Sequence, residues 1–332
     1  MKKNLAVLLA LAMVLSLAAC GGSGSGSGSS TPAPAPAKET KTVPVSVISY
    51  NDQGAESYRT VNTYDENGFM ISTAYKYAGE SDEYNYYYDN VYADGYLASR
   101  TTTDGDMYSE THEEFDSNGN ILKSEMYFTD YPEQNFSRVY HYNDKGLCEA
   151  IEYIFDTDAE GFGERPSGSV FEYNADGTVA LMTYSYDDIQ ILNKYIYEDN
   201  GRKKTEISYY DGDHLISSVT VTEYNADGNP VVETTYSPAL TDKKVGGYYQ
   251  PYMEYYTEGS MPDMSHFYES EILNYTYDAD GNQTEFAYKY RMLGSYEDLN
   301  APFEEYTGRS VTEYETIEVE NVYPDLVIPE GY

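Results

Sequence analysis

The 332-residue chain carries 57 Asp and Glu, 4 His, 2 Cys and 41 Tyr, and these are the groups with which it could act on or hold a ligand. Carboxylates are so common that a pair spaced for glycoside hydrolysis falls in almost any window, so abundance by itself assigns no acid and no base. His112, His141, His214 and His266 are scattered, without the paired spacing of a metal centre. There is no Gly-x-Ser-x-Gly elbow and no phosphate-binding glycine loop. The sequence therefore supports no catalytic residue, no cofactor and no metal.

Tyrosine offers different chemistry. An exposed phenol ring beside carboxylates suits the apolar face and the hydroxyls of a sugar, and it also suits a protein partner. One cluster is Tyr84, Tyr86, Tyr87 and Tyr88. It reads as a cross-strand aromatic ladder that stabilises a sheet. The second is Tyr248, Tyr249, Tyr252, Tyr255 and Tyr256, inside a stretch from Pro238 to Met264 that interrupts the periodicity described below. Interruptions on a regular scaffold tend to carry function. These five rings are the candidate platform for an extracellular glycan or protein.

The elements that must hold such a platform are legible in order. Lys2 and Lys3 precede an apolar run from Leu5 to Leu17, too short for a permanent bilayer span and suited to a secretory signal. Leu17-Ala18-Ala19-Cys20 resembles the lipobox of bacterial lipoproteins. That resemblance implies removal of residues 1–19 and a diacylglycerol on the Cys20 sulfur, stable anchoring following when more than one acyl chain is present. Residues 20–37, Gly/Ser-rich and then Pro-Ala-rich, form a tether, with the folded body at 38–332. The implied location is the bacterial cell envelope, on the outer side of a membrane. A net charge of −37 excludes general nucleic-acid binding and repels anionic lipid, so lipid and not charge makes the membrane contact. Cys148 is the only other cysteine; with Cys20 acylated no intrachain disulfide forms, and Cys148 reads as a packed residue.

Few aliphatic side chains and a large net charge usually mark disorder. Here tyrosine supplies the apolar area, and its placement is periodic. Tyr64-Asp65-Glu66-Asn67-Gly68, Phe115 to Gly119, Tyr142 to Gly146, Tyr173 to Gly177, Tyr197 to Gly201, Tyr224 to Gly228 and Tyr277 to Gly281 align on their glycine, with a looser member ending at Gly95. The glycine spacings run 27, 24, 27, 31, 24, 27 and 53, the last predicting a degenerate copy in between. Tyr50 to Gly54 adds a half-period copy. An Asp or Asn opens each turn and Gly closes it, which fits a type I turn with a Gly bulge. Aromatic residues recur seven and nine positions after the glycine, as at Tyr75 and Tyr77 or Tyr153 and Phe155, so each pair shares one face of a strand. Weaker turns at Gly79-Glu80, Asp104-Gly105, Asp130 to Pro132, Asp187-Asp188 and Asp211-Gly212 alternate with the anchors. Asp278-Ala279-Asp280-Gly281-Asn282 looks superficially like a calcium loop, but the twelfth-position Glu and flanking helices of an EF-hand are missing, so it reads as a turn. The fold class is all-β, an antiparallel meander of repeated hairpins forming a long twisted or coiled sheet, with Val311 to Val319 as its closing edge strand.

Tyr275-Thr276-Tyr277-Asp278-Ala279-Asp280-Gly281-Asn282-Gln283-Thr284, and in the same frame Tyr195 to Gly201 and Tyr140 to Gly146, resemble the tyrosine–aspartate repeats of the Rhs and teneurin families. The resemblance covers most of residues 50–290 and implies β-strand scaffolding. It does not extend to the shell around a cargo that some members build, because no toxin domain or shell-closing core is visible. The functional expectation is a lipid-anchored, non-enzymatic surface scaffold whose acidic, tyrosine-rich face binds a glycan or protein. A purely structural envelope spacer, and a glycan hydrolase with carboxylates near 248–270, are the alternatives.

Overall fold

The computed structural model describes residues 39–327 and 329, except 82, 106–107, 156–166, 187–188 and 199. The signal, Cys20 and the tether lie outside the described residues, as does the Asp187-Asp188 turn. The described strands are β1 (Glu39–Tyr50), β2 (Glu56–Tyr64), β3 (Met70–Tyr77), β4 (Glu83–Ala93), β5 (Tyr96–Asp104), β6 (Ser109–Phe115) and β7 (Ile121–Phe128). They continue with β8 (Phe136–Tyr142), β9 (Cys148–Phe155), β10 (Ser167–Tyr173), β11 (Val179–Tyr186), β12 (Ile189–Tyr197), β13 (Lys203–Tyr210) and β14 (Ile216–Tyr224). Then follow β15 (Pro230–Pro238), β16 (Leu240–Val245), β17 (Tyr248–Pro251), β18 (Phe267–Tyr277), β19 (Gln283–Met292) and β20 (Glu304–Val319).

From β1 to β15 each strand pairs antiparallel with the next. β15 then pairs with β18, β18 with β19, β19 with β20, and β20 returns to β1. The meander is thus confirmed, but the long twisted or coiled sheet is corrected: 18 strands close into a barrel. Closure gives every strand two neighbours and removes the exposed edges an open sheet would have to protect. Val311 to Val319 is accordingly no edge. Strand β20 has 16 residues, its first half pairing with β19 and its second with β1, so it forms the seam.

The anchor turns form as their chemistry demands. In the first, Gly68 N–H bonds the Asp65 carbonyl at 3.1 Å, while the Asp65 carboxylate accepts from the N–H groups of Asn67 and Phe69. Gly68 has φ 77°, open to glycine at little cost. A register shift follows each turn, so that Phe115 lies opposite Ile121 and Tyr142 opposite Cys148. This bulge turns the second residue after the glycine onto the same face as the anchor aromatic. No degenerate anchor turn lies between Gly228 and Gly281. The extra length there is an insertion between β15 and β18, at the opposite end of the barrel.

Residues opposite one another in register share a face. One face runs from Tyr58 and Tyr77 through Arg100, Glu113, Ser124, Arg138 and Tyr153, and returns through Tyr288, Gly308, Ser310 and Ser49. On it, Phe115, Tyr140, Ile151, Phe171, Met182 and Tyr195 form one buried cluster with Phe69 of the first anchor turn, and among the described residues outside the strands Tyr323 and Leu326 of the C-terminal segment pack against it. A cluster so little covered is buried because the wall curves around it, so this is the lumen face. The aromatic pairs Tyr75 and Tyr77, Tyr153 and Phe155, Tyr184 and Tyr186, and Tyr288 and Tyr290 point into it. The outer face is charged along its height, from Glu110 to Glu114 on β6 and through Glu125, Glu152 and Glu305. Exposed Val61, Tyr87, Val91, Ile154 and Val170 lie among these charges, so the outer face lacks the continuous apolar band of a membrane-spanning barrel.

Candidate functional site

All anchor turns from Asp65 to Gly281 lie at one end of the barrel, here the anchor end, together with the start of β1 and the end of β20. The other end, the far end, carries the weaker turns that fall among the described residues, the 239–266 insertion and the 293–303 loop. At the anchor end the ladders stop short of the first residue of each outgoing strand, leaving carbonyls that need donors. Tyrosine hydroxyls supply them. Tyr142 donates to the carbonyl of Ile121, Tyr173 to Cys148, Tyr197 to Val179, Tyr224 to Lys203 and Tyr314 to Gln283, at 2.6–3.0 Å. Each acceptor is the second residue after an anchor glycine. Tyr92 makes the equivalent bond to the Asp65 carboxylate. Burial pushes the Tyr92 and Tyr142 phenols well above the usual range, and for Tyr92 the Asp65 carboxylate adds to it. The repeat in sequence showed the fixed place of Tyr142, Tyr173, Tyr197 and Tyr224 four positions before glycine; nothing in it named the acceptor on the neighbouring strand or picked out Tyr314, which precedes no anchor glycine.

The C-terminal residues lie across this end. Glu320 N–H bonds the Glu66 carbonyl and Val327 N–H bonds the Gly119 carbonyl, so the segment straps the Gly68 and Gly119 anchor turns. Tyr323 stacks on Tyr92 with centroids 5.1 Å apart, and Lys41 pairs with Asp325 at 2.7 Å. Cys148 sits in the adjoining buried cluster, and burial raises its thiol to about 11.

Of the first tyrosine cluster, Tyr84, Tyr86 and Tyr88 face the lumen and Tyr87 faces out. Tyr84 meets Tyr77 edge-on at 6.0 Å and Tyr86 meets Tyr75 at 5.5 Å, which is a cross-strand ladder. The second cluster belongs to the insertion, which folds back over the outer wall. Tyr256 is 9 % exposed, stacked on Tyr209 at 4.5 Å in a cluster with Ile207, Ile216 and Val219. Burial, with the hydrogen-bonded Glu258 beside it, raises the Tyr256 phenol to about 12. Tyr252 stacks on His266 at 4.0 Å, and the Lys244 ammonium lies 4.0 Å from the Tyr249 ring. Tyr248 and Tyr255 are exposed. The five rings therefore divide into braces and two open side chains.

Nearby carboxylates also brace. Glu254 accepts from the Asp263 N–H and Glu258 reaches Lys194 on the wall. On the outer wall of β5–β7, His112 is held between the Glu110 carboxylate and the Thr101 hydroxyl. The Asp278 carboxylate accepts from the Asn282 side chain and from the Asn282 and Asp280 N–H groups, which lower its pKa below the usual carboxylate value. Its oxygens serve the turn. Among the described residues no three or more His, Cys, Asp or Glu gather as a metal site.

Along the lumen, burial changes from end to end. Inward residues near the anchor end, such as Leu97, Phe115 and Phe171, are buried. Those toward the far end are half-buried or exposed, as at Tyr77, Phe128 and Tyr290, reaching 43 % at Tyr84 and 50 % at Tyr306. The lumen is closed by its own side chains and the strap at one end and wet at the other. The expected acidic, tyrosine-rich face is corrected here: the pleat puts most of the rings inside and most of the acids outside.

No protein-family model matches the chain, and no curated protein does. Among solved structures the chain is similar to a porin-like protein from Bacteroides uniformis, at 10% identity and a TM-score of 0.37, covering 82% of this chain and 96% of that one. It is similar to TcdB2-TccC3 at 12% identity and a TM-score of 0.31, over 77% of this chain. It is similar to the Photorhabdus luminescens Tc holotoxin pore at 11% identity and a TM-score of 0.26, over 78% of this chain. The chain spans 16% and 15% of the lengths of those two chains. Likenesses this distant leave the functional reading to the geometry.

Proposed function

We propose that this protein is a non-enzymatic β-barrel scaffold, held to the bacterial envelope through a lipid on Cys20, that presents its far end to an extracellular partner. One observation carries the reading: the barrel is polar. The chain enters β1 at the anchor end, where turns and strap are tightly bonded, while the insertion and the longer loops cluster at the end opposite the tether. A tether at one end and irregular, ring-bearing chain at the other is the layout of a display scaffold. The acidic outer wall keeps the body off anionic lipid. Tyr248 and Tyr255, the open rings of the insertion, are the contact residues of this reading.

The test is radiolabelled palmitate incorporation into the full chain expressed in a bacterium, joined to pull-down from an envelope extract. Label is expected in the native chain and none in Cys20→Ala. Captured material is expected to fall several-fold in Tyr248→Ala/Tyr255→Ala. An unlabelled native chain removes the anchor, and capture indifferent to both tyrosines removes the contact surface.

A further inference from the structure

The insertion is one feature of the far end; the mouth of the lumen is another, built from different residues. We propose that this mouth is a binding site for a neutral polysaccharide segment, gripped by inward-facing tyrosines of the strand ends. The site is independent of the insertion and of the lipid anchor.

Rings follow one another around the wall. Tyr58 and Tyr77 lie 6.0 Å apart, Tyr77 and Tyr84 6.0 Å, Phe136 and Phe155 6.0 Å, and Tyr288 and Tyr290 5.1 Å. Tyr288 lies over Gly308, the small residue that leaves room for its ring on the wall. Tyr84, Tyr186, Tyr210 and Tyr306 add partly exposed phenols around the circumference. Each ring offers a flat apolar face with a hydroxyl at its edge, the pair of surfaces a pyranose presents in return.

The rest of the wall decides among ligands. Between the rings it is lined with hydroxyls: Ser49 bonds Ser310 at 2.7 Å and Thr220 bonds Thr235 at 2.9 Å. An acyl chain placed there would leave such groups without water or partner, an unfavourable burial. A polyol replaces the lost water with its own hydroxyls. Inward charges are engaged by the protein: Arg100 meets Glu113 at 2.7 Å, and at the mouth Asp104 accepts from the Tyr108 and Ser109 N–H groups, Glu271 from the Thr235 hydroxyl and Glu304 from the Tyr306 hydroxyl. The acidic exterior turns anions away before they reach the mouth. What remains favoured is a chain of sugar units without charge.

The chain contains no Trp, so its intrinsic emission comes from tyrosine and reports directly on the rings. The full chain in detergent is titrated with cellohexaose, maltohexaose and chitohexaose, with hexagalacturonate and palmitate as contrasting probes, followed by emission and calorimetry. At least one neutral hexasaccharide is expected to bind, and hexagalacturonate and palmitate are not. Tyr84→Ala/Tyr306→Ala, at two partly exposed positions, is expected to weaken binding tenfold or more with unchanged circular dichroism. Tyr84→Phe/Tyr306→Phe, which keeps the rings, gives a smaller loss. Tyr248→Ala/Tyr255→Ala is expected to leave saccharide affinity unchanged, which separates this site from the insertion surface. The proposal is overturned if none of the three saccharides binds, if palmitate binds instead, or if the lumen variants retain full affinity. Binding lost only in the insertion variant would move the site out of the lumen.

Discussion

Tyrosine does two jobs here that an aliphatic side chain cannot combine. Its ring fills the lumen wall, and its hydroxyl satisfies a carbonyl that the sheet leaves over, as Tyr173 does for Cys148 at 2.6 Å. A hydrogen bond of this kind contributes about 1 kcal/mol net, and leaving its acceptor buried and unmet costs about 1–3 kcal/mol. Burial keeps the Tyr75, Tyr142 and Tyr275 phenols neutral well above the ordinary 10.0, with Glu233 adding to it at Tyr275. A phenol whose folded value is raised stabilises the fold fully below pH 10 and loses that contribution as pH climbs toward the folded value. The chain is therefore expected to unfold cooperatively above pH 10, with phenolate absorbance at 295 nm rising together with loss of the β signal. Phenolate absorbance that rises along the curve of free tyrosine, ahead of unfolding, would contradict the burial.

At the scale of the hairpin, the turn sequence sets the local path and the strap adds a tertiary demand on some turns and not on others. Gly119 and Gly201 have φ 84° and 82°, so an alanine at either strains the backbone to a similar degree. A Cβ at Gly201 would meet open space, whereas at Gly119 it would run into the Asp325 carbonyl oxygen. Gly201→Ala is expected to cost about 1 kcal/mol. Gly119→Ala should cost about 2 kcal/mol or more, because the strap must also shift. Urea unfolding midpoints check the ranking, and shortening the chain after 319 should bring the two variants to similar losses. Equal losses in the full chain would mean that the strap is not seated on Gly119.

For the whole molecule, closure is the decision on which the lumen depends. Only Arg309, Ser310 and Val311 of β20 have partners on both sides, Ala287, Phe286 and Glu285 on β19 and Tyr50, Ser49 and Ile48 on β1. The seam is thus narrow, and proline at its centre removes a ladder donor. Ser310→Pro is expected to open the barrel, expose two sheet edges and drive self-association. Size-exclusion chromatography and thioflavin binding would report it; a monomer with native thermal stability would show that the seam is dispensable.

Much of the local structure could be read from spacing alone. Tyr142-Asn143-Asp144-Lys145-Gly146 specifies its turn because Asn and Gly act through bonds within four residues, and Tyr75 and Tyr77 share a face because the strand period is two. Cys148 is buried, as expected of a packed residue. Closure was not readable. It rests on pairing Glu39–Tyr50 with Arg309–Val319, segments more than 250 residues apart, and local pattern is silent about such a pairing. Nor could the sequence tell that Tyr256 is buried while Tyr248 is 51 % exposed, since that depends on where the insertion lands on the outer wall. Alternation in sequence determined that the paired rings after an anchor glycine would share one face of their strand. Only the closing of the sheet decided which face became the inside.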